Sequence, residues 1–154
     1  MKRLSLLVLF SVITAITLAQ VKIYDPKANA AQDIQNAINI AKREGKNVFI
    51  QIGGNWCPWC VKLHNFINAD STIKTILHEN YVVVKVNYSK ENKNLDVLKR
   101  LQNPQRFGFP VIVILDSNGK RIHTQDTGLL ESGNGYDSKK VLKFLKNWTS
   151  KAIK

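Results

Sequence analysis

The chain has 154 residues, is 44% hydrophobic and carries a formal charge of +12. That length supports one domain with a buried core, and the hydrophobic content is too high for a disordered chain. The cations are spread along the sequence, with no basic stripe interleaved with aromatics, so nucleic acid is not an expected partner and the surplus charge reads as solvated surface drawn to anionic envelopes.

Residues 1–19 stand apart. Lys2 and Arg3 precede an uncharged run from Leu4 to Ala19 that is broken by Ser5, Ser11, Thr14 and Thr17 and ends in small residues. This is the layout of a secretory signal peptide. The run of 16 residues is shorter than the ~20 needed to cross a bilayer, so a membrane is expected as partner only if the segment stays on as an anchor. The expected organisation is a signal at 1–19 and one domain at 20–154, exported to a periplasmic or other extracytoplasmic space. Cleavage would remove Lys2 and Arg3 and take the charge from +12 to +10.

After an irregular lead-in with a turn at Asp25-Pro26, Ala30, Ile34, Ala37, Ile38 and Ala41 recur at helical spacing. Asn29 and Gln32 predict an N-cap with a capping box, and Gly45 a C-terminal stop. Val48–Ile52 is a strand, followed by Gly53-Gly54-Asn55-Trp56-Cys57-Pro58-Trp59-Cys60 and a helical run from Val61 to Ile67. Asp70 to Leu77 reads as a short helix, and Tyr81–Tyr88 as a buried central strand by its β-branched content. Residues 89–94 form a polar loop, then Leu95, Leu98 and Leu101 line one side of a short helix. Val111–Leu115 and Lys120–Thr124 form a hairpin around Asp116-Ser117-Asn118-Gly119. Gly128–Asp137 reads as a loop, and Ser138 as the N-cap of a last helix with Val141, Leu142, Leu145 and Trp148 on its apolar stripe. The first two strands are joined through helices, which predicts a parallel pair, and the last two form an antiparallel hairpin, so the expected fold is α/β, a mixed central sheet with helices on both faces.

The two cysteines of the chain are Cys57 and Cys60. Cys57 falls where a strand turns into a helix, and unpaired N–H groups there, with the positive dipole end, lower a thiol pKa. Cys60 lies one helical turn on, within reach of a mixed disulfide formed at Cys57. A loop this short is a poor staple for the unfolded chain, and export exposes the pair to an oxidising space. The pair therefore reads as a dithiol–disulfide exchange centre. Pro58 pre-sets the helical φ at the first turn.

Trp56-Cys57-Pro58-Trp59-Cys60 at a strand-to-helix junction, with Gly108-Phe109-Pro110 ahead of a hairpin and a final helix, resembles the thioredoxin superfamily over roughly residues 30–150, and within it the secreted thiol:disulfide interchange proteins. The resemblance implies a thioredoxin-like fold, a cis peptide bond at Pro110 packed against the redox pair, and a substrate peptide laid beside Phe109 as an added strand. Trp56, Pro58, Trp59, Phe109 and Pro110 are then the substrate-binding residues. Gln51 stands where the family's reductases carry a buried acid, and Gln accepts no proton. Lys85 matches the family's lysine on the neighbouring strand, so Gln51 and Lys85 are the pKa-tuning pair. Trp59 occupies a position held by His in strongly oxidising members, and it brings no cation to a Cys57 thiolate, which favours a reductase or isomerase over a strong oxidase.

The implied activity needs no cofactor beyond the redox-active Cys57–Cys60 disulfide. Its partners are protein thiols and disulfides, plus an unidentified redox protein that recycles the pair. Two other classes compete. Cys57, Cys60 and His64 could hold copper or zinc, although structural zinc takes four ligands and neither His78 nor His123 has a spacing that brings it near. A redox-inactive interaction module on the same scaffold is the other. Val61 in place of His excludes c-type haem attachment. The sequons at Asn87 and Asn147 read as chance matches.

Overall fold

A computed structural model describes residues 22–154. The expected signal segment lies outside the described residues. Five helices, α1 (Ala30–Glu44), α2 (Pro58–Ala69), α3 (Ser71–Asn80), α4 (Leu95–Arg100) and α5 (Ser138–Asn147), accompany four main strands, β1 (Asn47–Gly53), β2 (Tyr81–Asn87), β3 (Val111–Leu115) and β4 (Arg121–Asp126). A two-stranded ribbon of β5 (Glu131–Ser132) and β6 (Gly135–Tyr136) precedes α5.

The helix ends follow their local chemistry. Asn29 Oδ1 accepts from the Gln32 backbone N–H at 3.1 Å, and Gly45, at φ +67°, closes α1 with a bond to the Ala41 carbonyl. The predicted capping box is half made. The Gln32 side chain donates to Asn36 Oδ1, four residues on and on the same helix face. Asp70 caps α3 through Thr72 and Ile73, and Asp137, rather than Ser138, caps α5 through Lys140. A carboxylate is the stronger acceptor at a helix N-terminus, and Asp137 is one residue closer to the ribbon that sets the entry.

The sheet runs β2-β1-β3-β4, with β1 and β2 parallel and the other pairs antiparallel. All seven residues of β1 are buried, as the second strand of four must be. Side chains alternate across it. Val48, Ile50 and Ile52 join Val84, Val86, Val111 and Val113 under α1 and α4. Phe49 joins Ile112 and Ile114 under Leu63, Ile73, Leu77, Val141, Phe144 and Leu145 of α2, α3 and α5. Gln51 shares the parity of Phe49, so it faces the helix that carries the cysteines. The thioredoxin-like α/β fold with helices on both faces is as the sequence predicts.

Three further expectations need correction. β2 is an edge strand and not a central one, with Val83 44% exposed. Its β-branched run satisfies either position, because propensity reports a pleated half-buried surface and not a place in the sheet. Leu95 does not belong to the α4 stripe; it is exposed at the first turn, and Val97 is buried beside Leu98 and Leu101 instead. The segment 128–137 is not a plain loop. It holds a 3₁₀ turn (Thr127–Leu130) and the β5–β6 ribbon. Among the described residues no helix is long and apolar enough to cross a membrane.

Candidate redox site

Cys57 is the N-cap of α2, in extended conformation, with Pro58 at the first helical position. Its Sγ accepts from the Cys60 backbone N–H at 3.2 Å. Cys57 and Cys60 are joined in a disulfide, with their Cα atoms 5.2 Å apart, inside the ordinary span for such a bridge. Both are buried, while Pro58 between them is exposed.

Gly53 and Gly54 are required by what crowds them. A Cβ on Gly53 would collide with Cys60 Sγ and lie 2.8 Å from the Tyr24 hydroxyl oxygen. One on Gly54 would collide with the Trp56 ring and lie 2.6 Å from the Tyr88 carbonyl oxygen. The end of β1 is therefore stripped of side chains where the sulfurs and the Trp56 ring pass over it.

Two aromatic groups flank the disulfide. On one side Trp56, 55% exposed, donates its indole N–H to the Tyr88 carbonyl at 2.6 Å and meets Phe109 edge-on at 5.7 Å. Phe109 also lies against Tyr88, at 4.7 Å, and packs on the cluster of Tyr24, Cys57 and Cys60. The Phe109–Pro110 bond is cis, as expected, and the Pro110 carbonyl accepts from the Thr127 hydroxyl. On the other side Trp59 stands edge-on to Tyr136 at 5.6 Å, with Lys62 Nζ 4.1 Å from its ring centre. A groove of about 670 Å³ runs from Trp56 and Asn55 past Tyr88 to Lys90 and Lys93.

Beneath the cysteines, Gln51 is fully buried and sits opposite Lys85 in the β1–β2 register. Lys85 Nζ donates to Gln51 Oε1, and Gln51 Nε2 donates to the Tyr24 hydroxyl oxygen at 2.8 Å. Burial lowers the Lys85 ammonium to about 8 and pushes the Tyr24 phenol well above its ordinary value, with the Gln51 bond pulling it partly back. Lys85 and His64 line a groove of about 450 Å³ that brings solvent to them. His64 is depressed first by its own burial and then by the Lys85 charge.

Tyr24 and Asn55 are site residues that sequence reasoning missed. Asn55 Oδ1 accepts from the Ile23 and Tyr24 amides at 2.9 and 3.0 Å, and its Nδ2 donates to the Tyr24 carbonyl at 2.8 Å. One side chain thus clamps the lead-in and turns Tyr24 under the disulfide. The lead-in shows only a turn signal, so nothing local marks Tyr24; Asn55 next to a glycine pair was the available clue.

The rival residues are otherwise engaged. His64 interacts with Asn68 on its own helix, His123 stacks on Trp148 at 4.1 Å, and among the described residues no group of three or more His, Cys, Asp or Glu is placed to hold a metal. Asn87 is buried, its amide donating to Ser89 Oγ and the Asn92 carbonyl, and is closed to glycosylation in the folded chain.

A family model described as thioredoxin-like matches residues 29–117, more than half of the chain. The chain belongs to this family. Over 92 residues it is 24% identical to the disulfide bond reductase DsbH of Chlamydia pneumoniae, a match covering 56% of this chain and 55% of that protein. The thioredoxin-like chain thus spans about half the length of that curated relative. Among solved structures it resembles a disulphide isomerase from Xylella fastidiosa Temecula1, with a TM-score of 0.73 at 24% identity over 82% of this chain and 95% of that one. It resembles a DsbH oxidoreductase with a TM-score of 0.56 at 22% identity, over 73% and 78% of the two chains. At such identities these likenesses speak for the thioredoxin fold.

Proposed function

We propose that this protein is an exported thiol:disulfide oxidoreductase that exchanges disulfides with protein substrates through Cys57-Pro58-Trp59-Cys60. The observation that carries the reading is the Cys57–Cys60 disulfide, closed across the N-terminus of α2 with Phe109 packed against it. In the reduced protein the Cys57 thiolate gains the α2 dipole and the Cys60 N–H, so Cys57 is the attacking sulfur. It displaces one sulfur of a substrate disulfide and forms a mixed disulfide; Cys60 then attacks Cys57 and releases the substrate as a dithiol.

Substrate is held by the apolar wall of Trp56, Phe109 and Pro110, with Pro58 and Trp59 on the opposite lip. The groove toward Lys90, Glu91 and Lys93 receives the chain beyond the disulfide. The relative named as a disulfide bond reductase supports a reductase or isomerase over a strong oxidase for this chain. So does the helix that carries the pair: Lys62 is engaged by the Trp59 ring and the Asn134 carbonyl, and the motif places no cation of its own between the sulfurs. A protein thiol that regenerates the pair is the implied partner, and residues 1–19 direct export.

Insulin-disulfide reduction tests the proposal. Wild-type protein turns over with a dithiol as reductant and Cys57→Ser does not. Equal turnover in the two would end it.

A further inference from the structure

The buried polar chain beneath Cys60 has a fixed direction. A lysine ammonium only donates, so the oxygen of Gln51 must face Lys85. The Gln51 nitrogen must then face Tyr24, and the Tyr24 oxygen accepts from it. That leaves the phenolic hydrogen to point away, and among the described residues it has no acceptor in the disulfide state. The Tyr24 oxygen and Cys60 Sγ flank the same small space over Gly53, a space that any side chain there would fill.

We propose that Tyr24 donates a hydrogen bond to Cys60 when that sulfur is a thiolate, and that Gln51 and Lys85 are positioning residues that aim it. The proposal rests on the disulfide-exchange reading and names the group that replaces the missing acid. An acid at position 51 would take the Cys60 proton; this site instead stabilises the anion that remains.

The balance of the resolving step is simple. The Cys60 thiol gives its proton to solvent. The thiolate attacks Cys57 Sγ, the Cys57–substrate bond breaks, and the electron pair leaves on the substrate sulfur, which takes up a proton. In this step Cys60 is oxidised and the second substrate sulfur is reduced; over both steps the two protein sulfurs are oxidised and the substrate disulfide is reduced. Tyr24 neither gains nor loses a proton. Its burial keeps the phenol protonated through the pH range in which thiols ionise, so the donor is always loaded. The other titratable groups around it are Cys57 at the head of α2, Tyr136 on β6, raised to about 12 by burial, and, past Gln51, Lys85 on β2 with His64 of α2 facing it; Lys22, Asp25, Lys27 and Glu91 line a cavity together with Tyr24.

The test is a thiolate titration at 240 nm in a Cys57→Ala background. The uncharged methyl at that position stands in for the uncharged sulfur of the mixed disulfide, and Cys60 is then the single thiol. A hydrogen bond to a charged sulfur is worth a tenfold change or more, so adding Tyr24→Phe lowers the Cys60 thiolate fraction at pH 7 about tenfold. Gln51→Met keeps the phenol but removes the amide that aims it, and lowers the fraction in the same direction; it decides the matter if Tyr24→Phe does not fold. A Cys60 titration within about twofold of the parent in the folded variants overturns the proposal. Insulin turnover by protein with both cysteines is measured separately. Turnover with an insensitive titration sinks only the Tyr24 assignment, and a sensitive titration without turnover sinks only the exchange reading.

Discussion

Replacing Lys85 with Met should change how stability depends on pH. The ammonium is drawn into the sheet face beside Gln51, and burial lowers it from an ordinary 10.5 to about 8. Below about pH 8 the lysine is charged in both folded and unfolded chains, and the folded state bears the full desolvation cost. Between about 8 and 10.5 the folded chain has lost the proton and the unfolded chain keeps it, so the unfolded state binds more protons and stability rises with pH. At about 1.4 kcal/mol per pH unit the rise from pH 7 to pH 9.5 approaches 2 kcal/mol; the side chain lines a solvent-filled groove, which discounts this to roughly 1 kcal/mol. Lys85→Met removes that rise. It also leaves Gln51 Oε1 without its donor, a loss of about 1–3 kcal/mol that is constant with pH and so separable from the slope. Urea unfolding of the oxidised wild type and variant at pH 7 and 9.5 gives both quantities, and other titrating groups cancel between the two proteins. Parallel pH dependences would refute a buried, depressed Lys85.

Other perturbations follow from the packing. Gly53→Ala forces a methyl into Cys60 Sγ and toward Tyr24, so the oxidised protein should lose about 1–3 kcal/mol in urea unfolding; an unchanged midpoint would mean the sulfur is not where the structure puts it. Asn55→Ala removes three hydrogen bonds on Ile23 and Tyr24, and hydrogen exchange at those two amides should rise well above that of β1. Equal protection in variant and wild type would contradict the clamp. Val83→Lys on the free edge of β2 should alter stability by no more than about 0.5 kcal/mol, whereas a loss above about 1.5 kcal/mol would place β2 inside a sheet.

Most of the fold was legible because its signals are local. Asn29 and Gly45 bound α1, and Asp116 to Gly119 turns β3 into β4, with Gly119 at φ +82°. The redox pair was legible for the same reason, since a strand, a glycine pair and a Cys-Pro-Trp-Cys run are contiguous. What failed was non-local. Nothing in Tyr81–Asn87 says whether a further strand will pair with its outer edge, so β2 read as central. Tyr24 is bound to the site by an asparagine 31 positions away and by the amide of Gln51, and neither partner leaves a mark on the sequence around it. Gln51 is visible in the sequence as a glutamine ahead of the cysteines, but its place in a lysine-to-amide-to-phenol chain needs the register of β1 against β2.

Trapping the mixed disulfide tests the central claim most directly. Reduced Cys60→Ser protein, incubated with a disulfide-bonded peptide, should accumulate a covalent adduct, and peptide mapping should place it on Cys57. Cys57→Ser should form little or none, because Cys60 is the more deeply enclosed sulfur and lacks the helix N-terminus. Adducts at Cys60 as readily as at Cys57, or none at either, would contradict the account.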